Sequence, residues 1–329
     1  MRVLVITTEY PTAEQPGPGI FVARQVRELR RLGVLIDVLH FPSRGNPLNH
    51  LRAWRELRRR IRGCDYDLIH AQFGHAGLVA QAQRKLPVVV TFRGPDLEGV
   101  FDHAGRMTLK GRVLVALCRR LARTADEVVV VSETLARRLP RKDYHVVPSG
   151  LDLECFSPAP REQARRALGW DLDQAVVLFA AQDIRMPGKR FALAREAVEV
   201  AQGQIDLRLE VATDIEPGQM PLHMNASDAL MLTSISEGSP NVVKEALACN
   251  LPVISVDVGD VRERLAGVSP GAICEATPQA LAEAMIEILE RPRRSNGRHL
   301  VAHLDEHSQS EKVLGIYNRI CSRRTALDN

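Results

Sequence analysis

Aromatic residues are scarce in this chain of 329 residues and make up only 4% of it. Nucleic-acid binding by base stacking needs exposed aromatic side chains beside basic groups, so this scarcity argues against a nucleic-acid partner. Long apolar runs are also missing, since none approaches the roughly 20 residues of a membrane-spanning helix. The start, Met1-Arg2 followed by Val3 to Ile6, is too short for the apolar core of a signal peptide. We therefore predict a cytoplasmic protein.

Cysteine spacing shows neither a metal-binding nor a disulfide pattern. The six cysteines contain no C-x-x-C pair, and no histidine lies at metal-ligand spacing from them. His70, His75 and His103 also lack that spacing, so ordinary hydrogen-bonded histidines are the simpler interpretation. The sequence predicts reduced, mostly buried thiols, no metal site and no cofactor. The cysteines are Cys64, Cys118, Cys155, Cys249, Cys274 and Cys321.

Charge is distributed unevenly along the chain. The first 150 residues carry 25 Lys and Arg against 14 Asp and Glu, a net charge of +11. The remaining residues carry 19 against 26, a net charge of −7. The basic first half favours an anionic partner, and a phosphorylated molecule or a lipid surface suits it better than nucleic acid.

Short β-branched apolar runs alternate with longer amphipathic segments throughout the chain. Strands separated by helices of about 10 to 15 residues indicate βαβ units, and hence parallel sheets with helices on both faces. Strands are predicted at 3–7, 35–40, 68–71, 88–92, 128–131, 145–147, 176–180, 207–212, 229–233, 253–256 and 272–274. Helices are predicted at 20–31, 48–61, 77–84, 108–123, 133–139, 191–201, 241–248, 278–289 and 308–321.

Two doubly wound α/β domains in series follow from this alternation. The segment 148–160 breaks both periodicities where the net charge changes sign, which is typical of an interdomain linker. We predict Rossmann-like domains over 1–148 and 149–305. A terminal helix over 306–329 needs an apolar surface, which we expect on the first domain. Because open parallel sheets bind ligands at the carboxyl ends of their strands, we expect the two sheets to face each other across a cleft.

The segment from Ser234 to Asn241 is the most informative part of the second half. A buried strand ends at Ser234, and a polar loop leads to Ser239 and Pro240, predicted as the N-cap and the first residue of a helix. Free backbone N–H groups and the positive end of the helix dipole make this point suitable for binding phosphate.

Two carboxylates flank that anion site. Glu237 lies in the loop and Glu245 about one and a half turns inside the helix, where both could accept hydrogen bonds from the hydroxyls of a nucleotide sugar. Taken alone, the pair has a simpler interpretation: Glu237 interacts with the helix dipole and Glu245 pairs with a surface cation.

Glu237 and Glu245, with seven residues between them in EGSPNVVKEALACNLPVIS, resemble the E-x7-E donor motif of the family-4 retaining glycosyltransferases, which have the GT-B fold. Further segments resemble that family in the same order along nearly the whole chain: EYPTAEQPGPGIFVARQVRELRRLG, DLIHAQFGHAGLVA, VVVTFRGPDL, VVPSGLDLECFSP and VDVGDVRE. The resemblance implies an α/β protein of the GT-B type. Its first domain would serve the acceptor, and its second would bind a nucleotide diphosphate sugar.

The resemblance also implies roles for residues of the second domain. Glu237 would face the donor sugar and Glu245 the ribose, while residues 239–241 would present the helix end to the donor diphosphate. Lys189, in RMPGKRF, stands where the family has its diphosphate-binding lysine, and a cation there compensates the charge that develops on the leaving group. Taken alone, Lys189 is equally well a solvated cation at a helix start.

Two positions depart from the family pattern. The family usually has an arginine shortly after the first strand of the second domain. Here that stretch, from Phe179 through Gln182 to Arg185, reads FAAQDIR, so either Arg185 substitutes for the arginine or the charge is lost. The histidine at the end of the acceptor-side strand is Arg93 here. Arginine stays protonated, so Arg93 is expected to contact phosphate or sugar rather than to act as a base. Asp96 is predicted to bind substrate beside it.

Glycines and basic helices complete the set of candidates. Gly17 and Gly19 would let the backbone approach a ligand closely, although a G-x-G pair is more often an ordinary tight turn. The basic runs 52–62 and 106–123 set arginines beside apolar residues at helical spacing, as in a helix lying on an anionic bilayer. A core-facing helix with a solvated basic face is the alternative.

The sequence thus favours a retaining, metal-independent hexosyltransferase in polysaccharide or glycolipid synthesis. Its expected partners are a nucleotide-sugar donor, a sugar or lipid-linked acceptor, and an anionic membrane surface at the inner face of the plasma membrane. Two other classes stay open. A nucleotide-sugar epimerase would alter the donor without any acceptor, and a noncatalytic nucleotide-sugar binding protein would bind the donor without turnover.

Overall fold

The structure is a computed structural model that describes residues 1–43, 46, 48–213 and 215–328, the last five of these by backbone alone. It divides into two compact units. Unit 1 comprises Met1–Val100, Met107–Gly150 and Glu306–Asn329, and unit 2 comprises Phe101–Arg106 and Leu151–Asp305. The terminal helix therefore groups with the first half of the chain.

Strands and helices alternate along most of the described chain. The strands are β1 (Arg2–Thr7), β2 (Leu35–His40), β3 (Leu68–Gln72), β4 (Val88–Phe92), β5 (Glu127–Val130), β6 (His145–Val146), β7 (Ala175–Ala180), β8 (Leu207–Ala212), β9 (Ala229–Leu232), β10 (Val253–Val256) and β11 (Ala272–Cys274). The α-helices are α1 (Ile20–Arg31), α2 (Leu48–Gly63), α3 (Gly74–Ala80), α4 (Pro95–Glu98), α5 (Leu109–Thr124), α6 (Glu133–Ala136), α7 (Arg161–Leu168), α8 (Phe191–Gln202), α9 (Met220–Ala226), α10 (Asn241–Ala248), α11 (Val261–Arg264), α12 (Pro278–Glu290), α13 (Gly297–Val301) and α14 (Glu306–Asp328). Short 3₁₀ turns span Pro187–Lys189 and Ala302–Leu304.

Unit 1 is a six-stranded parallel sheet in the order β2-β1-β3-β4-β5-β6, with helices on both faces. Alternate residues of β1 enter different cores because side chains of a strand point to opposite faces. Val3 and Val5 pack with α1 and α14, whereas Leu4 and Ile6 pack with α2, α3 and α5. The prediction of a doubly wound parallel domain is confirmed here.

Unit 2 is a five-stranded parallel sheet in the order β11-β10-β9-β7-β8 around one apolar core. The chain starts at the inner strand β7, adds β8 on one side, and then crosses to β9 on the other. The carboxyl ends of β7 and β9 therefore form the switch point at which ligands bind in sheets of this kind. The second doubly wound domain is also confirmed.

The helix predicted at 77–84 is found earlier, at Gly74–Ala80. Its two glycines lie where α5 packs most closely, since a Cβ at Gly77 would be 2.5 Å from the Leu121 side chain and one at Gly74 would collide with the Cys118 sulfur. Close packing, rather than the intrinsic helix propensity of the residues, thus places this helix.

A buried carboxylate connects elements at the amino ends of the strands in unit 2. Asp228 accepts hydrogen bonds from Arg161 Nε, Arg165 Nη2 and the Val176 amide, each at 2.7 Å. The Arg165 side chain is fully buried. These bonds tie α7 to the start of β7 and to the start of β9.

We predict that Asp228→Ala lowers the free energy of unfolding by about 3–5 kcal/mol, because it leaves a buried guanidinium without its counterion. The matched control is Asp257→Ala, which breaks an exposed pair with Arg262 and should leave stability unchanged. Urea denaturation followed by circular dichroism measures both. Equal effects of the two variants would contradict this prediction.

Candidate active site

An ion pair joins two loops at the switch point of unit 2. Lys189 ends the 3₁₀ turn that follows β7, and Glu237 lies in the loop that follows β9. Lys189 Nζ is 2.6 Å from Glu237 Oε1, with 29% and 17% of the two side chains exposed. The structure thus brings together a cation and a carboxylate that the sequence places 48 residues apart.

The backbone of these two loops is hydrogen-bonded directly. The Ile235 amide donates to Gly188 O at 2.8 Å, and Thr233 Oγ1 donates to Lys189 O at 2.8 Å. Arg190, at a φ of 47°, turns its guanidinium back so that Nε donates to Thr233 O at 2.6 Å. Sequence reasoning missed Arg190, although its position beside Lys189 at a helix start was a usable signal.

Helix α10 spans the predicted residues 241–248, but its cap differs from the prediction. Pro240 is the N-cap and Asn241 the first helical residue, so Ser239 does not cap the helix. The Ser239 hydroxyl donates instead to Asp260 Oδ2 at 2.8 Å, which explains why its side chain does not serve the helix amides. Asp260 is buried and also accepts from Arg264 Nε at 2.9 Å. Sequence reasoning missed this carboxylate as well.

The loop that carries Glu237 is braced by the β10–α11 turn. Gly259 has a φ of 58°, and a Cβ there would lie 2.5 Å from the carbonyl oxygen of Glu237. Nearby, Asn241 Oδ1, Asp260 Oδ1 and Ser234 Oγ are buried without a hydrogen-bond partner among the described residues. Buried polar atoms normally have partners, so this end of unit 2 has unused hydrogen-bonding capacity for a ligand.

Glu245 lies close to this end of unit 2, whereas Arg185 is exposed on the surface. Glu245 lies half-buried in the second turn of α10, the helix that starts beside the Lys189–Glu237 pair. Arg185 is a surface residue with 87% of its side chain exposed, and its Nε is 2.9 Å from Asp183 Oδ1. The position of Arg185 beside Asp183 does not support the hypothesis that it substitutes for the arginine that the family has after this strand.

A cavity of about 380 Å³ opens at the carboxyl ends of β9, β10 and β11. Its lining includes Ser234, Arg190, Asp257 and Arg262. Arg190 belongs to both the cavity wall and the hydrogen bonds around Lys189. The carboxyl edge of this sheet is therefore the concave and polar side of unit 2.

Arg93 is the central residue of a polar cluster in unit 1. It follows β4, and its guanidinium donates to Gln72 Oε1 at 2.7 and 3.1 Å and to Ser149 Oγ at 2.7 Å. The guanidinium also lies 4.5 Å from the ring centre of Phe21. Burial lowers the pKa of Arg93 to about 10, so it stays protonated at neutral pH.

Both carboxylate oxygens of Asp96 accept hydrogen bonds from backbone amides, so Asp96 supports the local backbone. Its Oδ1 accepts from the Gly74 amide at 2.8 Å and its Oδ2 from the Arg93 amide at 3.1 Å. Burial raises the pKa of this carboxyl group, and these two amide hydrogen bonds oppose that shift. Asp96 therefore fixes the backbone on either side of the Arg93 cluster.

Gly19 and Gly17 lie in the loop before α1. Gly19 is the N-cap of α1 with a φ of 70°, and a Cβ there would collide with the carbonyl oxygen of Glu9. Gly17 faces open space. The glycine at position 19 is thus required by the packing of the chain on itself.

Histidines and cysteines in the described ranges form no cluster suited to a metal. Across residues 1–43, 46, 48–213 and 215–328, no group of three or more His, Cys, Asp or Glu side chains is placed to hold a metal ion. His70 is fully buried and hydrogen-bonded through both ring nitrogens.

Comparisons with known proteins cover both halves of the chain. Residues 1–155 match the family model described as Glycosyltransferase Family 4, and residues 176–291 match the one described as Glycosyl transferases group 1. TuaC of Bacillus subtilis (strain 168), a glycosyltransferase assigned to teichuronic acid biosynthesis, is 30% identical over 87% of this chain and 88% of its own length. The D-inositol 3-phosphate glycosyltransferase of Frankia alni is 28% identical over 85% of this chain and 88% of its own length.

Solved structures share the fold at low sequence identity. Sucrose-phosphate synthase from Thermosynechococcus elongatus superposes with a TM-score of 0.78 at 18% identity, covering 98% of this chain and all of the other. Anabaena Alr3699/HepE, solved in complex with UDP and glucose, superposes with a TM-score of 0.73 at 17% identity, covering 97% of this chain and all of the other.

We predict that Gly19→Ala destabilises the protein more than Gly33→Ala. Both glycines have positive φ, which costs an alanine roughly 1–2 kcal/mol, but Gly33 faces open space. The collision with the Glu9 backbone should add about 1–3 kcal/mol at position 19. Thermal unfolding of the two variants measures the difference, and identical midpoints would contradict the close approach of Gly19 to Glu9.

Proposed function

This chain belongs to glycosyltransferase family 4 and has the GT-B fold, and from this premise we propose that it moves a hexosyl unit from a nucleotide diphosphate sugar to an acceptor hydroxyl. The transfer retains the configuration of the anomeric carbon and uses neither a metal ion nor a cofactor. The Lys189–Glu237 pair beside the start of α10 is the observation that carries this proposal.

The donor diphosphate binds at the amino end of α10. The first N–H groups of a helix lack acceptors within the helix, and the helix dipole favours an anion at this end. Lys189 adds a flexible positive charge, and Asp260 holds Ser239 beside the helix start. Asn241 Oδ1, buried without a partner among the residues described, can accept a hydrogen bond from a hydroxyl group of the donor, since the diphosphate itself offers only acceptors.

Glu237 and Glu245 bind the sugars at the two ends of the diphosphate. Glu237 accepts hydrogen bonds from the transferred hexose, and Glu245, farther along α10, accepts from the ribose hydroxyls. Without ligand, Glu237 compensates the charge of Lys189. On binding, the diphosphate takes over that role and the carboxylate becomes available to the hexose.

The transfer breaks the bond between the anomeric carbon and the diphosphate oxygen and forms one to the acceptor oxygen on the same face. Positive charge develops on the sugar ring and negative charge on the leaving diphosphate, which Lys189 and the α10 amides stabilise. The acceptor proton passes to the departing phosphate oxygen, because the protonated Arg93 cannot accept it.

Arg93 in unit 1 contacts a phosphate or sugar group of the acceptor. Its guanidinium is oriented by hydrogen bonds to the neutral side chains of Gln72 and Ser149, and its charge also interacts with the carboxylates of Asp96 and Glu9. Two relatives are named for teichuronic acid biosynthesis and for D-inositol 3-phosphate, both of which carry acidic groups. An acidic or phosphorylated acceptor in cell-surface polysaccharide or glycolipid synthesis is consistent with this cation.

We predict that Lys189→Ala and Glu237→Ala each reduce transfer at least about 100-fold, because each removes a group that stabilises the charged transition state. Glu196→Ala on the exposed surface of α8 is the matched control and should keep full activity. Mass spectrometry of product formed from nucleotide diphosphosugars and candidate lipid-linked acceptors measures the rates, and circular dichroism checks folding.

Wild-type rates in both variants would refute the site. The two alternative functions give different results in the same assay. Conversion of the donor without acceptor would indicate an epimerase. Thermal stabilisation by donor without turnover on any acceptor would indicate a binding protein.

Peripheral binding to an anionic membrane is a further part of the proposal. Helix α5 buries one face in unit 1 and exposes an apolar stripe on another, with Leu109 76%, Val113 52% and Leu117 43% exposed. The helix contains several Arg and Lys residues but no Asp or Glu. An apolar stripe between basic side chains is the pattern of a helix that lies in an anionic bilayer surface.

Helix α2 also exposes apolar residues beside basic ones. It packs on the same sheet face as α5, and its Leu48 and Leu51 are exposed beside a series of arginines. Arg58 lies 4.9 Å from the ring centre of Trp54. No helix in the part of the chain that the structure describes is long and apolar enough to cross a membrane.

We predict that the triple variant Leu109→Ser, Val113→Ser, Leu117→Ser binds phosphatidylglycerol vesicles about 100-fold more weakly than wild type, because three side chains no longer enter the acyl boundary. Leu35→Ser, at an exposed leucine of β2, is the control and should bind normally. Vesicle flotation at low and high salt measures binding. Unchanged flotation of the triple variant would exclude α5 as the contact.

A further inference from the structure

A series of buried polar side chains connects the terminal helix to Arg93. Tyr317 lies on α14, His70 and Gln72 on β3, and Thr91 on β4, and all four are buried. Tyr317 Oη is 2.6 Å from His70 Nδ1, and Thr91 Oγ1 is 2.7 Å from His70 Nε2. Buried polar groups need matched donors and acceptors, so the positions of the protons can be worked out from Arg93 inward.

The Arg93 guanidinium sets the orientation of the Gln72 amide. A guanidinium has donors only, and two of its N–H groups point at Gln72 Oε1. The amide oxygen must therefore face Arg93, and Gln72 Nε2 must face away from it. That nitrogen donates to Gln25 Oε1 at 2.8 Å and lies 3.3 Å from His70 Nε2.

The Gln72 amide in turn sets the tautomer of His70. Burial lowers the pKa of His70 to about 3, so its ring is neutral and carries one N–H at physiological pH. A proton on Nε2 would face the N–H groups of Gln72, and two donors repel each other. Nε2 is therefore the acceptor, and Thr91 donates to it. The proton lies on Nδ1, which donates to Tyr317 Oη.

We propose that Tyr317 and His70 are positioning residues for Arg93. Tyr317 holds His70 in its Nδ1–H tautomer, His70 Nε2 remains an acceptor, and the Gln72 amide keeps its oxygen turned toward the guanidinium. The C-terminal helix thereby fixes the orientation of a cation that lies far from it in sequence. The effect on transfer rests on the proposed role of Arg93 at the acceptor, whereas the tautomer and the Arg93 hydrogen bond do not.

Tyr317→Phe tests the proposal with little change in packing. The Tyr317 ring meets the His70 ring edge-on, with 5.6 Å between centroids, and phenylalanine preserves that contact. Only the oxygen that accepts from Nδ1 is lost. Tyr144→Phe is the matched control, because it removes an exposed hydroxyl that donates to Glu133.

Nitrogen-15 NMR of the full-length protein gives the first readout. We expect the wild-type His70 ring, assigned by its Overhauser contacts to the Tyr317 ring, to be the Nδ1–H tautomer, and Tyr317→Phe to shift it to Nε2–H. An Nε2–H tautomer in the wild type, or an unchanged tautomer in the variant, would overturn the proposal.

Exchange of the Arg93 Nε–H with solvent gives the second readout. It should be about tenfold faster in Tyr317→Phe than in wild type or Tyr144→Phe, because the Gln72 oxygen no longer faces it. Exchange at the wild-type rate would overturn the proposal, because the Tyr317 hydroxyl would then have no effect on Arg93.

Transfer kinetics complete the test. The KM for acceptor should rise about tenfold in Tyr317→Phe while the KM for donor stays constant, and a rise in both would contradict positioning of Arg93. A wild-type protein without transfer activity would count against the proposed function, and the two NMR readouts would still decide this inference.

Discussion

The ion pair between Lys189 and Glu237 is the contact around which the site in unit 2 is organised. It forms where β7 and β9 end, because the order of the strands reverses there and both loops leave the sheet at the carboxyl ends of its strands. The pair lies beside the start of α10, where backbone N–H groups lack helical acceptors. A cation, a carboxylate and a helix end thus occupy one place, which suits a diphosphate linked to a sugar.

The two units use buried polar groups in different ways. In unit 2, Ser239, Asp260 and Arg264 form a hydrogen-bonded network. Buried oxygens of Ser234, Asn241 and Asp260 have no hydrogen-bond partner among the described residues, so they can accept hydrogen bonds from a ligand. In unit 1 the Arg93 guanidinium donates to the neutral side chains of Gln72 and Ser149, and its charge also interacts with the carboxylates of Asp96 and Glu9.

The fold was accessible from the sequence because it depends on periodic patterns, and the family because motifs that resemble it occur in order along the chain. The alternation of apolar runs predicted both parallel sheets, and α1 and α10 have the bounds expected for them. The start of α3 was wrong because close packing on α5 overrides the low helix propensity of its glycines. The role of Ser239 as a cap was wrong because Asp260, distant in sequence, takes its hydroxyl.

Long-range polar contacts explain the rest of what sequence reasoning missed. The position of Arg190 beside Lys189 marks it as a candidate, but the sequence does not show that its side chain returns to the end of β9. The sequence likewise does not show that Tyr317 meets His70.

Donor binding is tested most directly by NMR titration with a nucleoside diphosphate. The backbone amides of Asn241 and Val242 and the Lys189 Nζ signal should shift most and saturate together. Saturable binding that leaves those three signals unmoved would contradict the diphosphate site.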